Sequence, residues 1–155
     1  MDKKKSITPK IISQNKKAFH DYFIEDRIEA GMVLFGSEVK SLRTHGAQMA
    51  DSYVDLKKGE AVVCNLHIAP WDYATHTQHE PTRIRKLLLH KKEIEKLIRE
   101  MKPKGYSLIP LRIYFKGAYA KIELGLAKGK KNYDKREDLK KQDHQREMDR
   151  FRKTR

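Results

Sequence analysis

Residues 109–126, IPLRIYFKGAYAKIELGL, decide the fold predicted for this chain. Apolar residues alternate with polar or aromatic ones on both sides of Lys116 and Gly117, which have the composition of a turn. Period-two alternation predicts two antiparallel strands with one buried and one solvated face. The expected buried set is Ile109, Leu111, Ile113 and Phe115, followed by Ala118, Ala120, Ile122, Leu124 and Leu126.

Four more short strands are predicted upstream of this hairpin, from aromatic and β-branched residues between turn-forming ones. They cover residues 19–24, 32–35, 53–56 and 61–66, with a polar turn at 26–31 and a long irregular loop at 67–81. Six short antiparallel strands protect their edges best by closing on themselves. The sequence therefore predicts an OB-type six-stranded antiparallel barrel, with a mixed α+β sandwich as the alternative.

Two short helices are predicted to flank the strands. Residues 38–43 follow Ser37, a residue type that caps helix N-termini. Residues 90–101 carry one apolar stripe with charges elsewhere, and Pro103 and Gly105 end the pattern. The stripe consists of Ile94, Leu97, Ile98 and Met101.

The chain divides into three parts by composition. Residues 1–17 are predicted to form a flexible basic arm, and residues 18–127 the folded body. Residues 128–155 contain twelve Lys or Arg and six Asp or Glu, a net charge of +6, with few apolar residues. We expect this basic tail to be disordered alone and to become helical on a partner.

Charge and cysteine content limit the function. Lys plus Arg is 35 and Asp plus Glu is 21, so the net charge is +14 and a polyanion is the expected partner. An anionic membrane is the rival, but it would need a basic helix with a wide apolar face, and none is evident. Cys64 is the only cysteine, which excludes an internal disulfide. We expect a cytoplasmic protein with no membrane partner.

Catalytic and metal motifs are weak. Cys64, His67, His76 and His79 could supply four zinc ligands, but their spacing is loose. No phosphate loop precedes a helix, and no nucleophile motif is present. We expect no metal, no cofactor and no enzymatic activity. A zinc-dependent enzyme acting on RNA is retained as the weakest alternative.

Basic clusters with aromatic residues nearby favour a nucleic-acid-binding barrel. The aromatic residues are Trp71, Tyr119 and Tyr133. The clusters are Lys16–Lys17, Lys40 with Arg43, Arg83 to Lys86, His90 to Lys92, and Lys128 to Arg136. A generic OB-type binder of single-stranded RNA is an alternative that composition leaves open.

Four strings resemble one family. They are NKKA at 15–18, AGMVLFGSEVKSLR at 30–43, RKLLLHK at 85–91 and GLAKGKKNYDKR at 125–136. The family is small protein B (SmpB), the protein partner of transfer-messenger RNA in bacterial trans-translation. The resemblance implies an OB-type barrel that binds the tRNA-like domain of this RNA and replaces its missing anticodon arm in a stalled ribosome. We expect the protein to act as a monomer.

The resemblance also implies roles for individual residues. Glu29, Leu88 and Lys121 match positions that the family uses to bind RNA. On charge grounds we add Lys16, Lys17, Glu38, Lys40, Arg43, His90, Lys91 and Lys128. The tail would enter the empty messenger channel of the small subunit, become helical, and anchor in the decoding centre. Its expected contact residues are Lys130, Lys131, Tyr133, Asp134, Lys135 and Arg136.

Overall fold

The computed structural model describes residues 9–74, 78–102 and 105–154, and leaves the side chains of residues 132 and 133 undescribed. No helix in these ranges is long and apolar enough to cross a membrane. The elements in chain order are β1 (Lys10–Gln14), α1 (Lys16–Asp21), β2 (Tyr22–Met32), α2 (Gly36–His45), β3 (Ala47–Gln48), β4 (Tyr53–Lys57), β5 (Glu60–Cys64), β6 (His67–Ile68), β7 (Arg85–Leu88), α3 (Lys91–Met101), β8 (Tyr106–Lys116), β9 (Tyr119–Gly129) and α4 (Asn132–Lys153).

Six antiparallel strands form a closed ring in the order β8-β4-β5-β7-β2-β9. The ring closes because β9 pairs with β2 along one edge and with β8 along the other. Strand β1 lies outside the ring and pairs with the second half of β8, beyond the β4 pairing at Leu108. Closure leaves few free edges. The predicted mainly β fold with six antiparallel strands and flanking helices is confirmed.

The β8–β9 hairpin is present, but its buried residues face two cores. A register shift between Pro110 and Arg112 reverses which alternate residues point into the ring. Ile113 therefore lies in the main core, whereas Ile109 and Leu111 pack with Ala18 of α1 in a second core. The prediction that one face of β8 is buried and the other wet is wrong at this bulge.

The start of the body differs from the prediction. Of the strand predicted at 19–24, residues 22–24 belong to β2, but residues 19–21 end the helix α1, which the Asn15 side chain caps by accepting a hydrogen bond from the Ala18 amide at 3.1 Å. The same side chain is buried and donates to the carbonyls of Met49 and Pro110. Residues 26–31, predicted as a turn, belong to the single long strand β2, and residues 33–35 are outside any strand.

Two further predictions need correction. Residues 1–8 of the predicted basic arm lie outside the described residues, but Lys10–Gln14 is strand β1, held by backbone pairing with β8. Strand β7 was not predicted because its two charges hide the alternation. Arg85 points inward and is buried, while Lys86 points to solvent.

The three longer helices complete the comparison. α2 and α3 match the helices predicted at 38–43 and 90–101, with slightly different ends. The tail forms the 22-residue helix α4, so the expectation of a disordered tail differs from the structure. Local pairs such as Gln145 with Asp149 at 3.2 Å support a helix made almost entirely of helix-forming residues.

Candidate nucleic-acid interface

The predicted residues Leu88 and Lys121 lie on either side of Gly31. Gly31 of β2 pairs with Leu88 of β7 and with Lys121 of β9, so all three share the outer face of the ring. A Cβ at position 31 would lie 3.2 Å from the Leu88 Cβ, so glycine lets the leucine lie flat across the strand. Leu88 is 57% exposed and is therefore not a core residue. The arrangement is an apolar spot beside a cation.

Glu29 lies on the same face and orders its neighbours. Its carboxylate accepts a hydrogen bond from the Tyr114 hydroxyl and pairs with the Lys116 ammonium at 3.1 Å. The bond from Tyr114, and then Lys116, hold the pKa of Glu29 below its usual range, while burial and the carboxylate raise the pKa of Tyr114. Glu29 therefore stays ionised and keeps Lys116 beside the outer face. Sequence reasoning missed both partners, since their proximity depends on strand register.

Glu38 is a correction. It was predicted to bind RNA, but it is fully buried. Its carboxylate pairs with Arg83 and, at 3.2 Å, with Arg85, whose side chain is also buried. Arg85 further donates to the carbonyls of Leu66 and Pro81. Burial lowers the pKa of Arg85, and the Glu38 carboxylate opposes that shift. The network ties α2 to β7 and the loop before it.

Arg83 also presents a stacked surface that sequence reasoning did not single out. Its guanidinium lies 4.0 Å from the ring centroid of Phe35, which is 57% exposed. Phe35 lies three residues after the end of β2, and Arg83 lies two residues before β7, so the pair lies beyond Gly31 and Leu88 along the same two strands. A guanidinium stacked on a ring and pinned by a carboxylate is pre-ordered for contact.

Four other predicted RNA-binding residues lie on the two helices that follow β2 and β7. His90 and Lys91 are exposed at the start of α3, directly after β7, where the His90 amide donates to Glu93 at 2.8 Å. A groove of about 500 Å³ beside Leu88 is lined in part by Lys86 and His90. On α2, Lys40 and Arg43 are exposed, and Arg43 stacks on Phe115 at 4.3 Å.

Three predicted RNA-binding residues lie at the opposite end of the ring. Lys128 pairs with Phe23 near the start of β2, eight residues from Gly31, a strand length of about 26 Å. Lys16 and Lys17 are exposed on α1, which packs at this end. Lys17 pairs with Asp51 at 3.2 Å, and this bond raises the pKa of the lysine. The structure thus divides the predicted residues into two groups.

Lys130 was predicted to contact a partner through the tail, but the structure gives it an internal role. Its side chain is only 8% exposed and pairs with Asp138. Its ammonium also donates to the Phe19 carbonyl at 3.3 Å, and its amide donates to the Asp21 carbonyl at 2.8 Å. Lys130 therefore fastens the start of α4 to the body.

The remaining tail residues divide by contact. Lys135 pairs with Asp21 at 3.3 Å, so it also holds α4 to α1. Lys131 and Arg136 are exposed, and Asp134 is half-buried. Tyr133 lies in α4, but its side chain is outside the described residues.

The proposed zinc ligands do not form a site among the described residues. Both ring nitrogens of His79 are engaged, with the Ser37 hydroxyl at 2.9 Å and the Ile68 carbonyl at 3.0 Å. Cys64 is buried at the end of β5, and His76 lies outside the described residues. The described ranges contain no cluster of three or more His, Cys, Asp or Glu suited to a metal ion.

Comparison with known proteins agrees with this geometry. The profile of the family described as SmpB protein matches residues 12–154. A protein named SsrA-binding protein from Geobacter metallireducens is 61% identical over 139 residues, covering 90% of this chain and 91% of the relative. Its namesake from Bacillus subtilis is 53% identical over 141 residues, covering 91% and 90%.

A solved structure gives the same result. One chain of the structure described as "tmRNA-SmpB: a journey to the center of the bacterial ribosome" superposes with a TM-score of 0.67 at 44% identity. The superposition covers 79% of this chain and 85% of the other. Sequence and fold therefore agree over nearly the whole body, and the chain belongs to the SmpB family.

Proposed function

We propose that this chain binds the tRNA-like domain of transfer-messenger RNA, also called SsrA, and delivers it to stalled ribosomes for trans-translation. The observation that carries the proposal is its relationship to SsrA-binding proteins, at 61% identity across 90% of the chain. The net charge of +14 suits an RNA partner. The chain acts as an RNA-binding protein without catalysis, metal or cofactor, and as a monomer.

The outer face around Gly31 is the proposed contact for the tRNA-like domain. Lys121 neutralises a phosphate, and Leu88 fits the exposed apolar side of an RNA loop. Glu29 acts indirectly by holding Lys116 in place. Lys40, Arg43 and Lys91 add cations and His90 adds a hydrogen-bonding ring, and Lys16, Lys17 and Lys128 add a second basic area near the tail. The body thereby replaces the absent anticodon arm.

The tail is proposed to read the ribosome. α4 is exposed on all sides from residue 139 onward, so it can enter the empty messenger channel of the small subunit without leaving a core. Lys131, Asp134 and Arg136 would contact the decoding centre, where the ring of Tyr133 would stack on a base. The body and the tail are in this view separate functional units joined at Lys130.

One experiment with two altered chains tests this division. Lys121→Gln removes one phosphate contact, so affinity for the isolated tRNA-like domain should fall roughly tenfold. The slope of log affinity against log salt concentration should become less steep by about one. Removal of residues 140–155 leaves the contacts of Lys130 and Lys135 intact. It should spare RNA affinity while abolishing tagging of a stalled nascent chain in a reconstituted system.

Controls separate the alternatives. Lys102→Gln, at the far end of α3, removes an equal charge and should change RNA affinity little. A plain oligonucleotide should compete poorly with the tRNA-like domain, whereas equal competition would support a generic single-strand binder. Loss of RNA binding on truncation would contradict the proposed division.

A further inference from the structure

Three aromatic rings lie together where α2 ends, away from the face around Gly31. The Trp71 ring lies 6.4 Å from His45, the last residue of α2, and 5.5 Å from Tyr73 in an edge-to-face arrangement. Trp71 is partly exposed, and Tyr73 is 79% exposed. We propose that this cluster, the aromatic groove (His45, Trp71, Tyr73, with Gln48, His67 and Asp72), binds an unpaired RNA base.

The described residues at the two ends of the loop that carries the rings are held by hydrogen bonds. The Gln78 side chain accepts a hydrogen bond from the Trp71 amide at 3.1 Å and donates to the Trp71 carbonyl at 2.8 Å. Next to it, His79 is buried between Ser37 and the Ile68 carbonyl. The two ends of the loop are thus fixed to each other, and His79 fixes the second end to the body. A ring held in place before binding loses little conformational entropy when a ligand stacks on it.

A groove of about 380 Å³ borders the cluster at His45 and is also lined by Pro70 and Asp72, on either side of Trp71, with room for a nucleobase and its ribose. Its walls include His45, Gln48, His67 and Asp72, which offer donors and acceptors for a base edge. His45 also lies 3.7 Å from Asp72, which links the wall of the groove to the loop. Stacking rings beside hydrogen-bonding groups are the combination that recognises unstacked bases in RNA.

The aromatic groove is separate from the proposed tRNA-like-domain contact. Its backbone is built from the two-stranded sheet β3–β6 and the loop after it, whereas the face around Gly31 is built from β2, β7 and β9. The inference rests on the proposed function only in taking RNA as the ligand. The base could come from transfer-messenger RNA or from ribosomal RNA, and both present the same chemistry.

Trp71 is the only tryptophan of the chain, and its ring lies 6.4 Å from His45 of the groove wall, so its fluorescence reports on a base that stacks at this cluster. The full chain is titrated with a single-stranded oligoadenylate, a blunt RNA duplex and the tRNA-like domain, with binding followed separately by anisotropy of labelled RNA. Oligoadenylate should quench Trp71 and the duplex should not. Tyr73→Ala should weaken oligoadenylate binding roughly tenfold. Phe151→Ala, which removes an equally exposed ring from α4, should not.

The outcomes distinguish the sources and the two proposals. Quenching by the tRNA-like domain would place the base in transfer-messenger RNA. Binding of that domain without quenching, together with quenching by oligoadenylate, would place it in another RNA such as ribosomal RNA. Equal quenching by the duplex, or no quenching by any RNA, would overturn the aromatic groove. If the anisotropy of the labelled tRNA-like domain showed no binding, that result would instead contradict the proposed function.

Discussion

The closed ring and the tail helix α4 are stabilised in opposite ways. The ring surrounds a core that contains Leu42, Val63, Ile113 and Ile122, and even its buried charges are paired. In α4, every described residue from 139 onward is exposed, and the contacts to the body end at Asp138. The ring is therefore held by packing between distant parts of the chain, and most of α4 by its own backbone.

This difference has a functional consequence. A helix without tertiary packing is marginal in water, so its population responds to any surface that binds it. A closed ring with a packed core keeps its outer face in one arrangement whether or not RNA is bound. The body suits recognition of a fixed RNA shape, and the tail suits a channel that is available only in some ribosomes.

The largest expected effect comes from the buried carboxylate. Glu38→Gln leaves Arg85 buried without its counter-charge, so the free energy of unfolding should fall by about 3–5 kcal/mol. Thermal or denaturant unfolding measures it. Glu147→Gln makes the same change on an exposed residue of α4 and should alter stability by less than about 0.5 kcal/mol. Similar losses from both changes would show that the buried network is not what holds α2 to the ring.

The next largest expected effect on stability comes from comparing two glycines of β9, Gly125 and Gly129. A Cβ at Gly125 would lie 2.8 Å from the Leu111 Cδ1 and 3.1 Å from the Ile24 Cγ2, in the second core. Gly125→Ala should therefore destabilise the chain by about 1–3 kcal/mol through overpacking.

Gly129→Ala is the matched control, four residues on. A Cβ there meets no described atom within 4 Å, so stability should be unchanged or slightly raised. Parallel unfolding curves of the two variants locate where the packed ring gives way to the tail. A large loss at position 129 would move that boundary toward α4.

The sequence predicts a strand of the ring where charged residues face solvent and apolar residues face the core. It fails where a charged residue points inward. The β8–β9 hairpin was predicted because its apolar residues alternate, whereas β7 was missed because Arg85 points inward. Residues 26–31 resembled a turn because the outer face of a closed ring is wet, so β2 carries Asp26, Arg27 and Glu29 in its middle. The bulge in β8 is also not predictable from the sequence of β8 alone, since its position depends on the pairing with β9.

The candidate site shows the same limit. Leu88 and Lys121 were named from a family resemblance, but their contact through Gly31 depends on strand register, which no local pattern reveals. Glu38 was placed at the surface because charged residues are seldom fully buried. One signal was available, since Glu38 lies four residues before Leu42 on the same face of α2.

The smallest expected effect on stability comes from Asp21, and we expect it to be confined to the start of α4. Hydrogen bonding from His20, and then Lys135, lower the pKa of its carboxyl. Only the contribution of Lys135 links this carboxylate to α4, and it stabilises the docked helix above pH 3.8, the value of a free aspartate, and is lost as pH falls through the lower folded pKa. Amide hydrogen exchange at residues 134–138 should therefore be protected at pH 7 and become less protected as the pH falls through the folded pKa of Asp21, after correction for intrinsic rates.

Asp21→Asn should reproduce that loss of protection at pH 7 and leave the melting temperature of the ring almost unchanged, because the contact lies at the surface. Asp143→Asn removes a carboxylate that, among the described residues, pairs within α4 with Arg146 at 3.9 Å, and it should leave residues 134–138 protected. If both variants lowered protection equally, the start of α4 would be held by its own helix alone. If only Asp21→Asn lowered protection, the contact with the body would set the direction in which α4 leaves the ring in the free protein, before it binds a ribosome.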